Sequence, residues 1–296
     1  MTDTPLSFDR SAPQAGSITD LGHDIYRVIA PNPSAFTFTG TASYVLGGDH
    51  LAIIDPGPDD DAHYDRLVEV IAGRPVHHII VTHTHRDHVA LADRLAQALG
   101  AETVGATFTP RDGSDGTSGL DAAHDQDFMP DIALSDGMRL NTAGVTLEAI
   151  ATPGHAANHF ALGLEDTGVV FTGDHVMGWS TSVVAPPDGH MGDYMRSLEK
   201  LLTRNDTLYL PGHGDRIGRP ERFVRGLITH RRQRETKILD ALRAGDRTIG
   251  EIVKRAYPGL DPKLVGAASL STRAQLIYLT EQGLAREEDQ DAWTAR

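Results

Sequence analysis

Apolar positions in the first two hundred residues come mostly in short runs closed by Gly, Pro or Asp. Asp24–Ala30, Thr41–Leu46 and Leu51–Ile54 read as short strands of this kind, with Asp55 closing the third. Arg66–Ala72 carries helical spacing, and His77–Val81 is a strand again. Ala90–Leu99 predicts a helix that Gly100 ends. Strands follow at Thr146–Ile150, Phe160–Leu164 and Val169–Thr172, then a helix at Met191–Leu202 and a strand at Leu208–Leu210 that stops at Pro211. Residues 1–20 are polar and read as a loose arm. Thr107–Asp136, rich in Asp, Gly and Ser, reads as a surface insertion, either a lid or disordered.

The period changes at Pro220. Phe223, Leu227, Ile228, Ile238, Leu239 and Leu242 lie on one long helical stretch that also carries Arg225, Arg231, Arg232 and Arg234. Beyond Gly245, Thr248–Tyr257 predicts a short helix and Pro262–Gln282 a longer one. Gly283 stops it, and Leu284–Trp293 predicts a two-strand wing. Helix, helix, Gly and hairpin make the layout of a winged helix. The expected division is a domain at 1–218, then a linker helix and winged-helix-like domain at 219–296.

Composition adds a compartment and a charge asymmetry. The net charge is −14, yet residues 221–296 hold 14 Lys/Arg against 11 Asp/Glu, leaving 13 basic and 30 acidic residues in the rest. Bulk acidity opposes strong binding to a nucleic-acid backbone. The chain has no cysteine, so disulfides and thiol catalysis are excluded. The amino terminus lacks the basic start and apolar stretch of a signal peptide, and no run reaches the ~18 apolar residues of a membrane span. A cytoplasmic protein that does not engage a membrane is expected.

The densest chemistry follows the apolar run Ile79–Val81. His83-Thr84-His85-Arg86-Asp87-His88 places four potential metal ligands within six residues. His83 and His85 are too close to share a helix face, but in an extended segment residues two apart point the same way. Three more candidates follow at wide spacing: His155 in Thr-Pro-Gly-His, Asp174 in Thr-Gly-Asp-His, and His213 in Pro-Gly-His-Gly. Gly154, Gly173 and Gly212 permit the sharp turns that bring such side chains to a strand-end cleft. Imidazole and carboxylate suit borderline cations such as zinc, and manganese or iron would accept the same set. Seven ligands exceed what one four-coordinate ion needs, which suggests two metals.

This order of motifs resembles the metallo-beta-lactamase fold superfamily. The resemblance implies an α/β protein built as an αββα sandwich and a binuclear metal-dependent hydrolase. It implies that one metal takes His83, His85 and His155, that the other takes Asp87, His88 and His213, and that Asp174 bridges them. The Cys-ligated, antibiotic-destroying branch is excluded by the absence of cysteine. The two-metal redox branch typically has a carboxylate at the position of His85 and a flavin domain, and neither is present. The tail, with Pro211-Gly212-His213-Gly214, the His230-Arg231 pair and Asp193-Tyr194-x-x-Ser197-Leu198, is similar to the winged-helix-tailed subgroup of lactamase-beta-like endoribonucleases.

Two divalent ions, zinc by default, bring a charge of +4, against −3 from Asp87, Asp174 and a bridging hydroxide. Asp87 and Asp174 are accordingly the expected catalytic residues, with hydroxide generated near neutral pH. The expected reaction is attack by that hydroxide on an ester, thioester or lactone of a small-molecule substrate. The alternatives are cleavage of single-stranded RNA, and a nucleic-acid-binding regulator with a secondary metal site. A homodimer is compatible with the tail. Asp55, in Ile-Asp-Pro-Gly, is expected either to orient a ligand or to initiate a turn. His159 and His175 are expected to support ligands or to lie in the core. Ser180, Thr181, His190 and Tyr194 are expected to fall near the pocket, with His190 a candidate proton donor and Tyr194 a candidate for helix packing.

Overall fold

The computed structural model describes residue 8 and residues 13–110, 124–289 and 291–296. Two β-sheets stack face to face. The first runs in chain order: β1 (Ile18–Asp20), β2 (Ile25–Ile29), β3 (Ala42–Leu46), β4 (Leu51–Ile54), β5 (Val76–Ile80), β6 (Glu102–Gly105) and β7 (Ile132–Ala133). Its first four strands are antiparallel, and β4 through β7 are parallel. Parallel neighbours need crossovers. Helix α1 (Asp61–Ile71) supplies the first, and α2 (Arg86–Val89) with α3 (Ala92–Leu99) the second. The second sheet is a meander of β8 (Arg139–Thr142), β9 (Val145–Ala151), β10 (Phe160–Leu164) and β11 (Val169–Gly173). It is completed by β12 (Leu208–Pro211), parallel to β11 after α4 (Met191–Leu202).

The period-2 pattern explains the layering. Tyr44, Leu46, Ala52 and Ile54 from the first sheet meet Leu147, Leu162, Phe171 and Leu210 from the second, forming the core between sheets. Their alternating neighbours Val45, Leu51 and Ile53 point outward onto Leu67, Ile71, Leu91 and Leu95 of the first helical layer. Ile150, Ala161 and Val170 likewise meet Tyr194, Leu198 and Leu201 of the second. Strands buried on both faces have no polar side to show, hence the continuous apolar runs in the sequence.

Several elements differ from the expected pattern. Helix α1 starts at Asp61 rather than Arg66, because the Asp60 side chain accepts the His63 amide at 2.9 Å as an N-cap. Strand β1 lies in the segment expected to be a loose arm and pairs with β2. Strands β6, β7 and β8 are additional. The proposed insertion at Thr107–Asp136 is corrected in part: Phe128 is buried under the first sheet, and Asp131 accepts the Thr103 amide at 2.8 Å beside β7. Residues 111–123 of that stretch lie outside the described residues.

The tail comprises α5 (Pro220–Arg243), α6 (Ile249–Ala256), a 3-10 turn at Pro262–Leu264, α7 (Val265–Glu281) and the wing β13 (Ala285–Asp289) with β14 (Ala292–Ala295). Thr248 caps α6 in a reciprocal capping box with Glu251. Helix α5 serves two cores. Val224, Leu227 and Ile228 pack on α4 and the second sheet, whereas Ile238, Ala241 and Leu242 join Leu276, Leu279 and Trp293 in the tail. No described helix is long and apolar enough to cross a membrane.

Candidate metal centre

All seven ligand candidates gather where the two sheets present the loops after their strands. His83, His85, Asp87 and His88 follow β5, His155 follows β9, Asp174 follows β11 and His213 follows β12. One ligand atom from each of His83, His85, His155 and Asp174 falls within 4.8 Å of the others, and the same holds for Asp87, His88 and His213. Asp174 reaches toward both groups: its carboxylate lies 3.5 Å from His155 Nε2, 3.4 Å from His88 Nε2 and 3.3 Å from His213 Nε2.

Several of these rings are held from behind. Asp55 accepts the Thr82 amide at 2.8 Å and pairs with His88 Nδ1 at 2.9 Å, which fixes the His88 proton on Nδ1 and turns Nε2 inward. Asp55 also takes a left-handed φ of 51°, so it both turns the chain and orients a ligand. His155 Nδ1 lies 2.6 Å from the Val183 carbonyl, leaving Nε2 3.0 Å from His85 Nδ1. His83 Nε2 approaches the same His85 atom at 2.9 Å. Three ring nitrogens thus converge on one point, where they cannot all act as hydrogen-bond donors. Thr41 donates its hydroxyl to Asp87 at 2.9 Å, and Asn32 in turn holds Thr41. His159 Nε2 accepts the Asp174 amide at 3.1 Å, so its proton sits on Nδ1, toward Thr152.

Two glycines make room, for different reasons. Gly173 has φ +47°, and a Cβ there would lie 2.6 Å from His159 Nε2. Gly212 needs no left-handed turn; its Cβ would lie 2.6 Å from Asp174 Oδ1 and 2.7 Å from His88 Cε1. Close approach to the ligands, rather than a sharp turn, excludes a side chain at Gly212.

The electrostatics divide the rings. Burial and neighbouring imidazoles push His83 and His85 well below the ordinary histidine range. Burial also opposes charge on His88 and His213, but Asp87 and Asp174 outweigh it, lifting His88 well above its usual value and His213 to about 9. The same pairs hold Asp87 and Asp174 below the usual carboxylate range against the opposing effect of burial. His88 Nε2 and Asp174 Oδ1 are buried and, though 3.4 Å apart, make no hydrogen bond among the described residues. Inward-facing imidazole nitrogens, two ionised carboxylates and these orphaned atoms fit divalent cations, as the chemistry of a nitrogen and oxygen donor set requires.

The remaining candidates fall elsewhere. His190 is not placed as a proton donor: it caps α4 and pairs with Asp193 at 3.0 Å and Glu281 at 2.9 Å. Tyr194 is buried, with the Arg231 guanidinium 5.0 Å from its ring centroid, so it packs rather than lines a pocket. His175 is buried beside Tyr194 and His159, with its pKa pushed down to about 3 chiefly by burial. The Ser180 hydroxyl donates to the Thr181 carbonyl. Sequence reading missed His124. Its ring centroid lies 4.2 Å from that of His85 with the two rings tilted by 43°, and its nitrogens lie 2.8 Å from the Thr84 hydroxyl and 3.2 Å from the Asp188 carboxylate. No motif surrounds it, because its position depends on how the segment before β7 folds back.

A four-layer sandwich with a His/Asp cluster at one end of its sheets defines a class of α/β metal-binding proteins. The chain belongs to the metallo-beta-lactamase superfamily, whose family model matches residues 36–213; a beta-lactamase-associated winged helix domain matches residues 248–293. It is 34% identical to a beta-lactamase-like protein 2 homolog of Caenorhabditis elegans, over 81% of this chain and 78% of that protein. The Drosophila melanogaster homolog of the same description is 30% identical over 91% and 92%. Among solved structures, a beta-lactamase domain protein from Burkholderia ambifaria shares the fold with a TM-score of 0.80 at 22% identity, covering 97% of this chain and 96% of that one.

Proposed function

We propose that this chain is a hydrolase that holds two divalent ions, zinc by default, and acts on a small ester, thioester or lactone. The reading is carried by the two donor groups with Asp174 reaching toward both. His83, His85 and His155 would hold one ion, Asp87, His88 and His213 the other, with Asp174 shared. When bound, such ions lower the pKa of water toward ~7 and polarise a carbonyl. The chain's own residues fix the ligand geometry. Asp55 keeps a proton on His88 Nδ1, Val183 orients His155, and Thr41 holds Asp87.

The arginines of α5 support a small substrate over RNA. Arg231 is buried and donates to the Ser182 carbonyl, Arg232 pairs with Glu199, and Arg234 lies over the Tyr257 ring. Guanidinium groups so engaged are poor phosphate contacts. The test combines elemental analysis of protein purified without chelator with kcat/KM for thioesters, esters, lactones and short single-stranded RNA at equal metal loading. Two ions per chain and turnover of a carbonyl substrate, both lost in Asp174→Ala, are expected. One ion at full occupancy with Asp87 unliganded, or a clear preference for RNA, overturns the reading.

A further inference from the structure

Arg231 lies midway along α5, between the half that packs on the sandwich and the half that packs in the tail. Only 3% of it is exposed, and its Nε has no hydrogen-bond partner among the described residues. Taking a guanidinium out of water is costly unless charge and hydrogen bonds compensate. Here the group meets the Ser182 carbonyl, 2.5 Å from its Nη2, and the face of the Tyr194 ring, whose centroid is 5.0 Å from its Cζ. Both partners lead to the same ligand, His155.

The first route runs through the segment before α4. The Ser182 carbonyl accepts from Arg231, and the Ser182 hydroxyl donates to the His175 carbonyl at 3.0 Å. The next carbonyl, that of Val183, accepts from His155 Nδ1 at 2.6 Å. The second route runs through α4. The turn before His155 lies against Tyr194, where a Cβ on Gly154 would fall 2.4 Å from the Tyr194 Cα. The amide of the capping His190 donates to the Gly154 carbonyl and the Ser197 hydroxyl to the Pro153 carbonyl, each at 2.8 Å. The other donor group is supported from elsewhere. Thr41 holds Asp87, Asp55 holds His88, and the Gly40 carbonyl lies 3.4 Å from His213 Nδ1. These three supports sit beside β3 and β4 of the first sheet, and none involves the tail.

We propose that Arg231 is a positioning residue for His155. Through it the tail sets how firmly one ion is held, that of His83, His85 and His155, and leaves the other to the first sheet. This inference rests on the two-ion reading above. Without the guanidinium, the Ser182–Val183 segment loses its anchor on α5, and the Val183 carbonyl no longer fixes the His155 ring with Nε2 inward. Supports of this kind typically contribute about 10–100-fold to metal affinity. The effect is selective: it falls on one ion, whereas a general loosening of the tail would not distinguish the two.

The test uses full-length protein loaded with zinc and challenged with an excess of a chelating dye whose absorbance follows zinc release. Wild type should release two ions per chain. Arg231→Met should speed the release of one ion about tenfold or more and leave the other within about twofold. Asp55→Ala, which frees His88, should speed the other ion, and the double variant should speed both. Arg231→Lys keeps the charge without the planar fork. It should speed the same ion as Arg231→Met by a smaller factor, and it decides the matter if the methionine variant does not fold. Thr248→Ala, which weakens the tail away from this contact, should leave both rates unchanged. Acceleration of both ions alike by the Arg231 variants, acceleration of the Asp55-sensitive ion, or no acceleration overturns the inference and leaves the two-ion reading intact. Wild-type protein that carries a single ion overturns the two-ion reading. The positioning role then stands if that ion's release responds to Arg231 and not to Thr248→Ala, and falls otherwise. Wild-type protein that retains no zinc overturns both.

Discussion

At the scale of single residues, the centre depends as much on the groups behind the ligands as on the ligands. Asp55→Ala removes the acceptor that fixes His88 and two bonds to Thr82. Loss of such a support typically costs ~10–100-fold in metal affinity, a shift that competition against a metal-sensitive dye would read. His159→Gln should cost less than Asp174→Ala in the same assay, because His159 touches the Asp174 amide and not its carboxylate. Gly212→Ala should deplete metal although no ligand is changed, since the new methyl overlaps Asp174 and His88; full metal content in that variant would contradict the steric reading. The seven candidate ligands, which the structure gathers into two groups, stood out in the sequence because strand ends and Gly turns punctuate their motifs. Thr41, Asn32 and His124 were not, since they come together only when distant loops meet.

At the scale of elements, α1 shows why boundaries are harder to read than strands. The apolar spacing that marks a helix begins near Leu67, while the first turn is built by a cap and a buried histidine, both polar. His63 is fully buried with Nε2 2.8 Å from the Ser43 hydroxyl, and burial lowers its pKa to about 4. A histidine whose folded pKa lies below its unfolded value of 6.5 contributes stability above pH 6.5 and loses it as pH falls toward 4. The displacement amounts to on the order of 3 kcal/mol. Urea denaturation of wild type and His63→Gln at pH 7.5 and 4.5 isolates it. The variant should lose less stability on acidification, and an equal loss would remove His63 as a cause. At the tail, Thr248→Ala removes the side chain that caps α6 and should cost about 1 kcal/mol. The strands that sequence reading found carry apolar runs of at least three residues. Strands β1 and β7 are too short for periodicity to register, and β6 and β8 each carry a single large apolar residue, Val104 and Leu140.

At the scale of the whole molecule, α5 ties the sandwich to the winged helix by burying its first half in one and its second half in the other. Chemical denaturation followed by far-ultraviolet dichroism and by intrinsic fluorescence should therefore give coincident transitions; separated midpoints would mean that the two cores melt independently. The ligands are also distributed across the molecule. Each donor group takes side chains from loops of both sheets, with His83 and His213 far apart in the chain. An ion seated there would be a rivet through two layers, so removing it involves parting them instead of bending one loop. Exchange with free ions should accordingly be slow on the timescale of ordinary surface sites, and a chelator should extract metal at a rate that climbs steeply with denaturant. For a protein of this design, how long it kept any bound ions would become a measure of how often its halves separate.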